Sequence, residues 1–222
     1  MIIAVDGPAG SGKSTIARRC AEDLAFAYVN SGRLYRAVTL YALGKGITEH
    51  TERITAMLGE MDIRVKGTKI ILNGETVSDR LHDDDVDRWV PHHSSVPEVR
   101  QYVNTKLREI AEHNNVVVEG RDITTVVFPD AEVKLFLDAS LEARATRRHE
   151  QGTSELTYEE IYRTIAERDE IDRNKAVGSL TQSEDATYID TSDLTIDQVC
   201  DKVLSIIHRH LESSGKVYKH ER

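Results

Sequence analysis

Gly7-Pro8-Ala9-Gly10-Ser11-Gly12-Lys13-Ser14, followed by Thr15, carries the spacing G-x-x-x-x-G-K-S/T of a loop built to hold a nucleoside triphosphate. Its glycines let successive backbone N–H groups converge on phosphate oxygens. A helix starting at Lys13 would add its own unsatisfied donors and the positive end of its dipole. On this reading Lys13 reaches the β- and γ-phosphates and Ser14 ligates Mg²⁺. The spacing is not that of the G-x-G-x-x-G dinucleotide loop. It is not accompanied by GTPase signatures either: no glycine has an aspartate three residues before it, and Asn174-Lys175-Ala176-Val177 lacks the final Asp of N/T-K-x-D. ATP is therefore the nucleotide, and the loop alone does not name the acceptor.

Phosphoryl transfer is catalysed by positioning and by cations around the moving group. The chain supplies cations mainly as arginine, 19 Arg against 10 Lys, and the planar guanidinium suits bidentate phosphate recognition. Arg36, Arg100, Arg121, Arg147, Arg148 and Arg168 are the candidates. The chain as a whole is acidic, with net charge -9, which argues against a partner held by its phosphate backbone and leaves room for a local basic cleft. Two cysteines, Cys20 and Cys200, make no disulfide framework, and both fall on apolar helical stripes as core fillers. With no signal peptide and no apolar run of membrane length, a cytoplasmic protein without membrane or nucleic-acid partners is expected.

The elements that must position these residues follow from the apolar pattern. Ile2 to Val5, Val116 to Val118, Val133 to Leu137 and Tyr188-Ile189 read as short buried strands, separated by helical stretches. A helix is predicted from Lys13 to about Ala25 on Ile16, Cys20 and Leu24. Another follows the Thr195–Gln198 capping box, with Ile196, Val199, Cys200, Val203 and Ile207 on one stripe. Together they describe an α/β fold, a parallel sheet with helices on both faces. Asn73-Gly74 between apolar runs predicts a small antiparallel hairpin insert. Asp79 to Asp87 reads as a solvated acidic loop, Arg100 as part of a featureless loop after Pro97, and His92-His93 and His208-x-His210 as surface histidines without a third metal ligand. Arg168 and Asp172 are four apart on a helix predicted from a Thr157–Glu160 capping box, hence on one face.

Asn30-Ser31-Gly32-Arg33-Leu34-Tyr35-Arg36, Val118-Glu119-Gly120-Arg121-Asp122 through Phe128-Pro129-Asp130-Ala131, Phe136-Leu137-Asp138-Ala139-Ser140 and Glu167-Arg168-Asp169-Glu170-Ile171-Asp172 resemble, in order, the bacterial cytidylate kinases. The resemblance spans nearly the whole chain. It implies a P-loop kinase three-layer fold in a single domain over 1–222. The core would be 1–60 and 100–222, with a monophosphate-binding insert over about 61–99 and a lid over about 148–160. It implies a monomer that transfers the γ-phosphoryl group of ATP to CMP or dCMP, with Mg²⁺.

By the same resemblance Arg36 and Arg121 grip the acceptor phosphate, Arg100 and Asp122 read the cytosine ring, and Ser31, Arg168 and Asp172 lie near the acceptor nucleotide. Either Arg147 or Arg148 touches the ATP phosphates. Base chemistry agrees for Asp122: a carboxylate accepts from the cytosine amino group, whereas uracil would present an acceptor to it. Four departures stand out. Asn30 replaces the usual Asp, Lys175 the usual Arg, Thr124 the usual Gly, and Gly178-Ser179 the usual Ala-Pro. Kinases for another monophosphate such as UMP, and a non-catalytic ATP-binding module, are the rival readings.

Overall fold

A computed structural model of the chain describes residues 1–49, 51–152 and 156–213. The chain divides into two compact units, Met1–Tyr28 with Asn115–Arg222, and Val29–Asn114. The expected insert over about 61–99 falls inside the second unit, which takes in the helices on either side of it as well. Residues 153–155 of the expected lid lie outside the described residues. Among the described residues no helix is long and apolar enough to cross a membrane.

The first unit is organised by a sheet whose strands β1 (Ile2–Asp6), β6 (Val116–Gly120), β7 (Val133–Asp138) and β8 (Thr187–Asp190) lie in the order β6-β1-β7-β8, while β2 (Ala27–Asn30), next to β6 in the strand order, runs across the boundary at Tyr28. β1 pairs in parallel with β6 and β7, and β7 with β8. Side chains alternate along a strand, so Ile3, Val5, Leu135 and Leu137 share one face. They pack there with Ile16, Ala17 and Cys20 of α1 (Lys13–Asp23) and Val199, Cys200, Val203 and Ile207 of α8 (Ile196–Ser213). Ala4, Val116 and Val118, which face the other way, are equally buried. A sheet covered on both faces explains why its strands read as unbroken apolar runs.

Burial of Cys20 in that core pushes its thiol up to about 12, so it packs and does not react. Both predicted capping boxes form: Thr195 with Gln198 before α8, and Thr157 with Glu160 before α7 (Tyr158–Asn174). The register sets Asp6 level with Gly120, so the turns after β1 and β6 leave the sheet side by side at its carboxyl edge. That edge is where ligands of open α/β sheets bind.

The second unit holds the antiparallel strands β3 (Ile63–Lys66), β4 (Lys69–Leu72) and β5 (Glu75–Thr76). Asn73 and Gly74 turn the chain with φ of 48° and 87°, both left-handed as a tight hairpin of this kind requires. Helices α2 (Ser31–Gly44), α3 (Thr51–Met57), α4 (Asp84–His93) and α5 (Pro97–Glu112) complete the unit.

Three expectations are corrected here. The acidic stretch is largely helical: Asp84, Asp85 and Asp87 occupy the first turn of α4, where acids favour the helix dipole. Arg100 lies on α5 and not in a loop, because Pro97 opens a helix at its first turn instead of ending one. His93 is fully buried. It stacks on Trp89 at 6.2 Å, and its Nε2 lies 2.9 Å from the Thr48 carbonyl.

Candidate active site

The loop between β1 and α1 is shaped by its glycines. Gly7 takes φ 155°, and a Cβ there would sit 2.0 Å from the Leu137 carbonyl oxygen, so no other residue fits. Gly12 in the left-handed region (φ 85°) caps α1, and Lys13 begins it. Two carbonyls of the loop are held from outside. Arg144, on α6 (Leu141–Glu150), donates from Nη1 to the Ala9 carbonyl at 3.1 Å, and Thr191 donates from Oγ1 to the Ser11 carbonyl at 3.2 Å. Carbonyls fixed in this way leave the amides to face an anion. The Ser11 hydroxyl is buried and meets no hydrogen-bond partner among the described residues, as expected of a group kept for a ligand.

Lys13 is buried, its Nζ donating to the Pro8 carbonyl at 3.0 Å. Burial, with the positive charges of Arg121 and Arg168 nearby, lowers its pKa to about 7 against the opposing pull of Glu119 and Asp172. Three further predicted site residues of the first unit, Arg121, Arg168 and Asp172, thus lie within electrostatic reach of Lys13.

Arg121 and Asp122 follow β6 directly, and Asp122 is buried. Arg121 donates from Nε to Oδ2 of Asp172 at 2.8 Å, and Lys175 donates to the other carboxylate oxygen at 2.8 Å. Arg168 is exposed on α7, one turn before Asp172. On α6, Arg147 reaches Thr191 Oγ1 at 3.1 Å and also the Thr191 carbonyl, while Arg148 is exposed, 3.5 Å from Gln151 Oε1.

In the second unit Asn30 caps α2, its side chain accepting the Arg33 N–H at 3.2 Å. The amide does the capping that an aspartate would do, so this departure has a structural role. Ser31 is buried at the first turn of α2. Arg36, one turn on, donates to the Leu81 carbonyl at 2.9 Å and to the carboxylate of Asp87. Arg100 is buried on α5. Its guanidinium lies 5.4 Å from the centre of the Tyr35 ring and donates to the Ser94 carbonyl at 3.2 Å.

Sequence reasoning assigned no role to three of the groups found here. Asp6 and Asp169 are buried acids, and Arg144 is a buried cation tied to both Asp169 oxygens at 2.9 and 2.5 Å. A weak signal was present for two of them, since Asp6 and Arg144 have uncharged neighbours, while Asp169 stands between Arg168 and Glu170 and looks like any exposed charge. Their partners lie far along the chain and leave no spacing to read.

A Mg²⁺ ion fits the donors present if it arrives with its nucleotide. Ser14 offers a half-buried hydroxyl on the first turn of α1, and among the described residues no group of three His, Cys, Asp or Glu side chains forms a cage. Mg²⁺ bound by one protein oxygen, phosphates and water matches that set.

A family model described as cytidylate kinase matches residues 3–209. The cytidylate kinase of Caldanaerobacter subterraneus subsp. tengcongensis is 45% identical over 213 residues, 94% of this chain and 95% of that relative. That of Carboxydothermus hydrogenoformans is 43% identical over 217 residues, 94% of this chain and 98% of its own. Among solved structures, an uncharacterized protein from Eubacterium ventriosum shares the fold with a TM-score of 0.53 at 13% identity, covering 94% of this chain and 98% of that one.

Proposed function

The chain belongs to the cytidylate kinase family, and we propose on that premise that it transfers the γ-phosphoryl group of ATP to CMP or dCMP, giving ADP and CDP or dCDP. An oxygen of the acceptor phosphate attacks the γ-phosphorus in line. The bond to the β-bridging oxygen breaks, and ADP leaves with that electron pair. Gly7 to Thr15 hold the ATP phosphates, and Lys13 bridges β and γ. Arg36 and Arg121 bind the acceptor phosphate, Arg100 and Asp122 read the base, and Ser31, Arg168 and Asp172 bind the rest of the nucleotide. Arg147 braces the Thr191 segment, which leaves Arg148 as the lid arginine for the ATP phosphates. When bound, Mg²⁺ on Ser14 would neutralise the β- and γ-phosphates.

The observation that supports this best is the electrostatic coupling of Lys13 to Arg121, Arg168 and Asp172. A phosphate-loop lysine within charge range of an acceptor-motif arginine is the arrangement transfer requires, because both cations must act on one phosphoryl group. The experiment is a coupled ADP-release assay with ATP and CMP, dCMP, UMP, AMP or GMP. CMP and dCMP should turn over fastest; equal or faster turnover of UMP or AMP would overturn the base assignment.

A further inference from the structure

We propose that Asp6 is a positioning residue for nucleobase recognition, holding Asp122 in place through Ile123 and Thr124. The proposal rests on the cytidylate kinase reading of Asp122. Asp6 ends β1, one residue before the phosphate loop, and is fully buried. Its Oδ1 accepts the Ile123 N–H at 2.9 Å. Its Oδ2 accepts both the Thr124 N–H and the Thr124 hydroxyl, each at 2.7 Å. Three donors therefore converge on one carboxylate, all from the two residues that follow Asp122.

The other side of the same peptide is fixed as well. The Asp122 carbonyl accepts the N–H groups of Val126 and Val127 at 2.9 and 3.2 Å, closing the turn Ile123–Val127. The base-reading residue is thus clamped between a carboxylate behind it and a helical turn ahead of it. A buried acid with no cation bonded to it among the described residues is a costly element to retain. Burial pushes its pKa up to about 6, and Asp122 adds like-charge repulsion in the same direction. That cost is spent on amide geometry at one loop. Thr124 supplies the third bond with its side chain, where a glycine would have none.

The clamp sets an order of effects. A carboxylate that only stabilised the fold would, when weakened, lower activity toward every acceptor equally. One that aims Asp122 would, when weakened, act on the difference between CMP and UMP, because discrimination depends on tight polar pairing at the base.

The test compares Thr124→Val, which keeps shape and removes the hydroxyl, with Thr124→Ser, which keeps the hydroxyl, and with Asp6→Asn. Steady-state kcat and KM are measured for ATP, CMP and UMP. Thr124→Val should raise KM for CMP and shrink the CMP-over-UMP ratio of kcat/KM by about tenfold, the worth of one charge-assisted hydrogen bond. KM for ATP should stay within about twofold, and Thr124→Ser should retain the wild-type ratio. Asp6→Asn should act in the same direction and further; if it does not fold, the Thr124 pair decides alone. An undiminished ratio in Thr124→Val, with the wild type preferring CMP, overturns the role of Asp6 and leaves the kinase assignment standing. A wild type without CMP preference overturns both.

Discussion

Arg121 and Lys175 divide the Asp172 carboxylate between them, one oxygen each at 2.8 Å. Burial alone would raise the Asp172 pKa; the Arg121 charge and the Lys175 contact overcome it and hold the group at about 2. The folded-state pKa lies below the ordinary value of 3.8, so this carboxylate stabilises the fold above pH 3.8, and the contribution is lost as pH falls toward 2. Its size is about 2 kcal/mol. In urea melts between pH 5 and 2, Asp172→Asn should lack that part of the wild-type decline. A parallel decline in the two proteins would show that the pair does not supply it.

Lys13 makes nucleotide binding itself depend on pH. Buried and flanked by Arg121 and Arg168, it titrates at about 7, so at pH 8 it is mostly neutral in the absence of nucleotide. A triphosphate against its Nζ restores the ammonium, and binding must then take up a proton. Calorimetry of ATP binding in buffers of different ionisation enthalpy should report uptake of about one proton at pH 8 and little at pH 6. Lys13→Met should abolish the uptake and lower kcat by at least about a hundredfold. Binding at pH 8 without proton uptake would refute the picture.

Arg36 is tied to Asp87 in the second unit, so a phosphate that takes Arg36 competes with this ion pair. Half-exposed pairs of this kind are worth up to about 1 kcal/mol. Asp87→Asn is expected to lower KM for CMP by no more than about fivefold with kcat unchanged, whereas Arg36→Met should raise it. A higher KM in Asp87→Asn would mean that the carboxylate orients Arg36 for the substrate and does not compete with it.

What could be read from the chain before folding was whatever is local. The phosphate loop announces itself because left-handed glycines, a lysine and a helix start must be contiguous. The Asn73-Gly74 hairpin and both capping boxes are local for the same reason. Arg121 and Asp122 were legible as residues leaving a buried strand. The partners of Asp6 lie 117 and 118 residues away, and Arg144 meets Ala9 across 135, so nothing in their own neighbourhoods marks them. Helix α5 was hidden because two polar residues, Arg100 and Asn104, stand on its buried side among Val99, Val103 and Leu107. A stripe interrupted by an arginine reads as surface until Tyr35 is found beneath it. Helix α4 was hidden by Pro91, which lies inside it.

Arg144 offers the sharpest test of the donor side. Its side chain is 4% exposed and spans three groups: both oxygens of Asp169, the Ala139 carbonyl at 3.0 Å and the Ala9 carbonyl of the phosphate loop. Removing one partner of a buried pair strands the other charge, so Arg144→Ala should cost about 3–5 kcal/mol in urea melts. Arg144→Lys keeps the charge and loses the fork, and so cannot hold Asp169 and Ala9 together. It should cost less stability than Arg144→Ala yet raise KM for ATP several-fold with KM for CMP little changed, because the Ala9 peptide is then free to turn. Equal effects on the two KM values would make the pair a general element of the fold. A rise confined to ATP would establish that the Ala9 carbonyl is held in order to aim the amides of the loop.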